Sequence, residues 1–135
     1  MRRLQTRPQF QTVLSGAVIA KSPHFALHCR DLSSFEAQAP TTAPHAGASV
    51  IGALIPKRWA KRAVTRNAIK RQIFQVVQEF DSVLTGCAFV VRLRHTFDRT
   101  QFVSASSGAL KDAVRHELIG LFTVASSRIP GPSHA

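Results

Sequence analysis

A single-domain α+β fold is predicted by three observations. Apolar residues recur at helical spacing in three separate stretches. The segments between them are short apolar or alternating runs bounded by turn residues. Their order is helix, three strands, helix, strand, helix, which packs helices on one mixed sheet. At 135 residues the chain can bury a core without metals or disulfides.

Residues 1–7 carry Arg2, Arg3 and Arg7 and are expected to form a basic arm, flexible at its start. Pro8 suits the first turn of a helix. Phe10, Val13 and Leu14 follow at i, i+3, i+4, and Gly16 can end it. Ala17–Ala20 and His24–Arg30 read as strands around a Lys21-Ser22-Pro23 turn. Phe25, Leu27 and Cys29 share the expected core face of the second strand, with His24, Ala26 and His28 on the other. Residues 36–48 are rich in Ala, Pro and Thr without periodicity, which predicts a mobile loop. Ser49–Ile55 is a third, mostly buried strand stopped by Pro56.

No Gly or Pro interrupts the chain from Lys57 to Phe80, and the spacing predicts one helix over that stretch. Ile69, Ile73, Val76, Val77 and Phe80 form its apolar stripe. Arg62 and Arg66 point nearly along that stripe, so the basic end is expected to overhang the core. Asp81–Gly86 make a turn, and Cys87–Val91 is an apolar strand ending at Arg92. Residues 94–104 are connection. A last helix over about Ser106–Val124 places Leu110, Val114, Leu118, Leu121 and Phe122 on one face. The domain assignment is therefore residues 1–125, with a disordered tail over 126–135.

The charge bounds the function. A net charge of +11 and a pI near 11.5 predict attraction to nucleic acid or, less specifically, to an anionic membrane surface. Seven of the eighteen Lys and Arg residues lie between Lys57 and Arg71, with no acid among them. Such a run is ordinarily a solvated face, but solvated faces intersperse Glu and Asp as i,i+4 partners. Cations at a helix N-terminus also oppose the helix dipole, a cost accepted where a polyanion uses them. A peripheral membrane protein would show bulky apolar residues on the exposed face, whereas here the stripe beside the cations serves the core.

Other chemistries are poorly supplied. The seven acids are scattered, and only Glu79 and Asp81 are close neighbours, at the end of the long helix. Two-metal hydrolysis needs clustered carboxylates. His24, His28 and Cys29 do not form a zinc site, because four residues of strand span about 13 Å. Cys29 and Cys87 read as buried hydrophobes. No apolar run is long enough to span a membrane, and the N-terminus lacks the apolar region of a signal peptide. A reducing cytoplasm is the expected compartment. Trp59 beside Arg58 can stack on a base or cap the core at a strand-to-helix turn.

Arg66-Asn67-Ala68-Ile69-Lys70-Arg71 follows the strand Val50–Ile55 and the pair Lys57-Arg58. This context resembles the Arg-Asn-x-x-Lys-Arg signature of the bacterial ribonuclease P protein subunits. The likeness runs over roughly residues 4–124 and includes Phe10-Gln11-Thr12-Val13-Leu14-Ser15-Gly16, Ser22–His28 and the strand ending at Arg92. Five positions depart from the family pattern. Phe74-Gln75 stand for a usual Arg-Glu, Leu14 for an aromatic, His28 for a frequent Tyr, and Gly86 for a common Asp.

The resemblance implies an α-β-β-β-α-β-α sandwich with a left-handed crossover around the signature helix. It implies a ribonucleoprotein that removes the 5′ leader of precursor tRNA, its catalytic centre and Mg²⁺ ions held mainly by the RNA. Lys57, Arg58, Lys61, Arg62, Arg66, Asn67, Lys70 and Arg71 would face the catalytic RNA. Phe10, Leu14 and His28 would line a cleft for the leader. The implied partners are that RNA and the leader, with no membrane, no obligate protein partner and no cofactor intrinsic to the chain. A ribosomal or other structural RNA-binding protein is the alternative; it would share the basicity without the leader side.

Overall fold

The computed structural model describes residues 2–32, 35, 49–97 and 108–128. The loop expected over 36–48, most of the 94–104 connection and the end of the tail lie outside the described residues.

Five strands form one sheet in the order β1-β4-β5-β3-β2. They are β1 (Arg2–Arg3), β2 (Ala17–Lys21), β3 (Phe25–Asp31), β4 (Val50–Leu54) and β5 (Cys87–Leu93). Packed on the sheet, among the described residues, are the helices α1 (Arg7–Leu14), α2 (Ala63–Glu79) and α3 (Gly108–Arg128). The β2–β3 and β3–β5 pairs are antiparallel, β4–β5 and β1–β4 parallel, so α2 is the crossover between adjacent parallel strands.

The sheet is covered on both faces. On one face α2 contributes Ile69, Ile73, Val76 and Val77, and α3 contributes Leu110, Val114, Leu118, Leu121 and Phe122. They meet Phe25, Leu27, Phe89 and Val91 of the central strands, all inaccessible to solvent. Cys29 and Cys87 are free thiols buried in this layer. On the opposite face Val13 of α1 joins Leu4, Val50, Ala88 and Val90, with Phe10 and Leu14 packed at the margin. Ala26 and His28, expected away from the core, are therefore buried at 0% and 7% exposure. Alternation along β3 has no solvent side because α1 closes it.

Local chemistry explains the boundaries. Thr6 Oγ1 accepts from Gln9 N while Gln9 Oε1 accepts from Thr6 N, a reciprocal cap that opens α1 ahead of Pro8. At Gly16 a Cβ would lie 2.5 Å from the Cys29 carbonyl oxygen, so only glycine lets the chain pass from α1 into β2. Gly86, at φ +75, closes the turn into β5.

Three expectations are corrected. The N-terminal arm is built into the sheet. Arg2 and Arg3 pair with Val50 and Ile51, Leu4 N donates to Ile51 O at 2.9 Å, and Leu4 is buried. This pairing covers what would be a bare edge of β4. The signature helix begins at Ala63, not near Lys57: Arg62 is extended (φ −86, ψ 133), and Pro56–Ala60 form a turn closed by Trp59 N and Ala60 N on Pro56 O. The last helix continues to Arg128, with Ala125 fully buried and Arg128 Nη1 donating to Ile19 O at 2.8 Å. The tail's first residues are thus helical.

Candidate nucleic-acid interface

The register brings one end of four strands together. Lys21, Ala26, Arg92 and Leu54 form one row across β2, β3, β5 and β4. The Pro56–Arg62 segment leaves from this end, as do the Ser22–His24 turn and Arg94. Lys57, Arg58, Lys61 and Arg62, all exposed, therefore share an end of the molecule with Lys21, Arg92 and Arg94. Residues far apart in sequence converge only through the topology. At the opposite end, α2 runs out at Glu79 and Asp81 follows it, while Asp31 pairs with Cys87.

α2 starts with no side-chain cap and no acid in its first turn, leaving the positive end of its dipole unopposed. Arg66 Nη1 donates to Ala60 O at 3.0 Å and Lys61 O at 2.8 Å. Its guanidinium thus fixes the backbone that carries Lys61 and Arg62. Asn67 and Arg71 are exposed and Lys70 is half-buried. One turn further, Phe74 stands where an arginine was expected, and Arg3 of β1 lays its guanidinium over that ring, 3.9 Å from the centroid.

The second surface lies between α1 and the sheet. A Cβ at Gly52 would fall 2.6 Å from Phe10 Cε1, so the half-buried Phe10 ring rests on bare backbone. Leu14 is also half-buried. His28 departs from its expected role. It is buried, and its Nε2 accepts from Arg92 Nε at 3.1 Å. That bond places the ring's proton on Nδ1, which is buried with no hydrogen-bond partner. Burial lowers the His28 pKa, and the cations Arg92 and, less strongly, Lys21 add to this; the facing Leu14 backbone opposes it. A buried neutral imidazole cannot stack on a base. Arg92 is half-exposed and lies in the strand row of Lys21 and Leu54, on the sheet face that carries Phe10 and Leu14.

Trp59 is half-buried against the main core, with the His95 ring 5.6 Å and the Arg58 guanidinium 5.5 Å from its centroid. Its role is to cap the core. His24 stacks on Phe97 at 3.9 Å and gives Nδ1 to Glu117 Oε1 at 2.7 Å. The other Glu117 oxygen accepts from Ser22 Oγ and from His24 N. This carboxylate ties α3 to the β2–β3 turn. Glu79 is paired with Arg115. Among the described residues, no three His, Cys, Asp or Glu side chains gather as a metal site, and no helix is long and apolar enough to cross a membrane.

An α+β domain with helices on both faces of its sheet, and with cations gathered at one end of the sheet and along the adjoining helix, defines a nucleic-acid-binding protein. The family model for ribonuclease P matches residues 1–116, and the chain belongs to that family. It is 31% identical over 133 residues to the ribonuclease P protein component of Ralstonia pickettii, covering 98% of this chain and 85% of that one. The Bordetella parapertussis protein component is 33% identical over 121 residues, covering 90% and 89%. Among solved structures, the Staphylococcus aureus RNase P protein aligns with a TM-score of 0.66 at 17% identity, over 93% of this chain and 95% of that one. The Thermotoga maritima RNase P protein aligns at 0.61 and 19% identity, over 97% and 100%. Both show the same fold. The chain is a protein component of the ribonuclease P ribonucleoprotein, an endoribonuclease of tRNA processing in which the family arrangement leaves catalysis to RNA. The ribosomal alternative is set aside.

Proposed function

We propose that this chain binds the catalytic RNA of ribonuclease P through the start of α2 and holds the 5′ leader of precursor tRNA between α1 and the sheet. The observation that carries the reading is the convergence of Lys57–Arg71 with Lys21, Arg92 and Arg94 at one end of the sheet. Lys57, Arg58, Lys61, Arg62, Asn67, Lys70 and Arg71 meet the catalytic RNA. Arg66 shapes that surface by holding the turn. Arginine offers phosphate a planar two-point donor, and lysine a point charge.

On the leader side, Phe10 and Leu14 give apolar contact, and Arg92 and Lys21 give cations for the backbone of a single strand. His28 orients Arg92. The scattered acids offer Mg²⁺ no cluster, so no residue of this chain is assigned to hold it; the ions belong to the RNA. On this reading the protein acts in the cytoplasm with precursor tRNA.

The test is reconstitution. Purified protein with Mg²⁺ should leave precursor tRNA intact, and adding the RNA subunit should restore site-specific cleavage. Arg92→Gln should weaken binding of precursor tRNA by the holoenzyme while leaving mature tRNA unaffected. Equal weakening of both substrates would refute the leader assignment.

A further inference from the structure

We propose that β1 belongs to the RNA interface, with Arg3 supplying a phosphate contact that continues the basic stripe of α2. The proposal rests on the reading of α2 as the surface for the catalytic RNA. Arg3 pairs with Ile51, whose side chain lies in the α2-side core, so the Arg3 side chain leaves the sheet on the α2 face. There it meets Phe74, its guanidinium 3.9 Å from the ring centroid, well inside the range of a cation–π contact. Phe74 lies four residues beyond Lys70 and three beyond Arg71, the spacings at which helical side chains are neighbours. Arg66, Lys70 and the docked Arg3 therefore follow one line down the helix, with Asn67 and Arg71 alongside.

The contact leaves Arg3 fit for a second partner. Arg3 is exposed. Stacking occupies the face of a guanidinium, whereas its five N–H donors lie in its plane and point outward. The ring also holds the side chain in one place before RNA arrives, which lowers the ordering cost of binding. A purely structural role for the pair, closing the β1 edge onto α2, needs the ring and the stem of Arg3 but makes no use of the charge in RNA binding.

That difference sets the experiment. Affinity of the full-length protein for the cognate catalytic RNA is measured across a salt series for wild type, Arg3→Ala, Arg3→Lys, Phe74→Leu and Lys70→Ala, with melting temperatures alongside. If Arg3 meets a phosphate, Arg3→Ala lowers the magnitude of the log–log salt slope by roughly 0.7–0.9, as loss of one counterion-releasing contact requires. Arg3→Lys restores the slope. Phe74→Leu keeps the slope but binds more weakly, because the cation is no longer held in place. Should Arg3→Ala destabilise β1, a further variant, Arg3→Gln, decides the question, since its planar amide keeps a contact on the Phe74 ring and loses the charge: a lowered slope at unchanged melting temperature supports the phosphate contact, and a wild-type slope overturns it. The proposal is overturned if Arg3→Ala matches wild type in slope while Lys70→Ala does not. If both variants match wild type, the α2 reading falls, and this one with it. If Arg3→Ala alone lowers the slope, the Arg3 contact stands and the assignment of Lys70 falls.

Discussion

Replacing Gly52 with alanine tests how α1 is seated on the sheet. The added Cβ would stand 2.6 Å and 2.8 Å from Phe10 Cε1 and Cζ, and 2.8 Å from Leu4 Cδ1. Ordinary carbon contacts are about 3.5–4.0 Å, so the ring must retreat by roughly 1 Å. Leu4 can turn its methyl aside. Phe10 moves only with α1, an eight-residue helix that is marginal without its tertiary contacts. Overpacking of this kind costs about 1–3 kcal/mol. Restricting the unfolded chain returns about 0.4–1 kcal/mol, because Gly52 does not need a positive φ. A net loss of about 1–2 kcal/mol is expected for Gly52→Ala. Full burial of a phenylalanine would make Phe10→Ala cost about 3–5 kcal/mol; half burial makes it about 2. In the double variant the methyl occupies space the ring has vacated, so Gly52→Ala should be nearly neutral there. Urea denaturation of the four proteins should give a coupling energy of about 1–2 kcal/mol. Additive losses would refute the idea that Phe10 is what the glycine accommodates.

Three further outcomes are expected. Glu117→Ala should cost about 2–3 kcal/mol in urea denaturation, since Ser22 Oγ, His24 N and the His24 ring lose one partly buried charged acceptor; Glu117→Gln should cost less because its amide oxygen still accepts, and a Gln variant as stable as wild type would mean that the charge is irrelevant. His28, whose folded pKa lies below its unfolded value near 6.5, contributes stability above that value, and the contribution is lost as pH falls through the lower folded pKa. Unfolding midpoints followed from about pH 7.5 down to 5 should therefore drop more steeply for wild type than for His28→Leu, and parallel curves would contradict the buried neutral ring. Arg66→Ala should lower both RNA affinity and stability, the latter by about 1 kcal/mol through its lost carbonyl contacts, whereas Lys70→Ala should lower affinity alone; matching stability losses would deny Arg66 its bracing role.

The sequence disclosed what local periodicity and composition can encode. The stripe Ile69, Ile73, Val76 and Val77 is buried as its spacing requires, and the strands fall within a residue or two of their expected limits. The start of α2 was not legible, because helical periodicity is only established once packing begins at Ala68, and no capping residue marks Arg62. A two-residue strand of arginines carries no alternation at all, so β1 is visible only in its pairing with Val50 and Ile51. The burial of His28 is not legible either, because an alternating strand does not say whether its second face is roofed. That roof is α1, whose amphipathic signal is short. The place of Lys21, Arg92 and Arg94 is illegible for a different reason: they lie outside the Lys57–Arg71 run in sequence, and only the strand order makes them neighbours of Lys57 and Arg58.

The gathering of cations at one end of the sheet, with Asp31, Glu79 and Asp81 toward the other, bears on how fast and in what pose the protein reaches its target. A body with its charge segregated along one axis experiences a torque in the field of a polyanion as well as an attraction. It is turned basic end first while still several ångströms away, within a Debye length of about 8 Å at physiological ionic strength. Fewer encounters are then wasted on unproductive faces, and association rises above the unsteered range. Moderate salt should slow arrival far more than it hastens departure. Moving a single cation from the basic end to the opposite end, at unchanged net charge, should blunt the association rate although the overall attraction is the same.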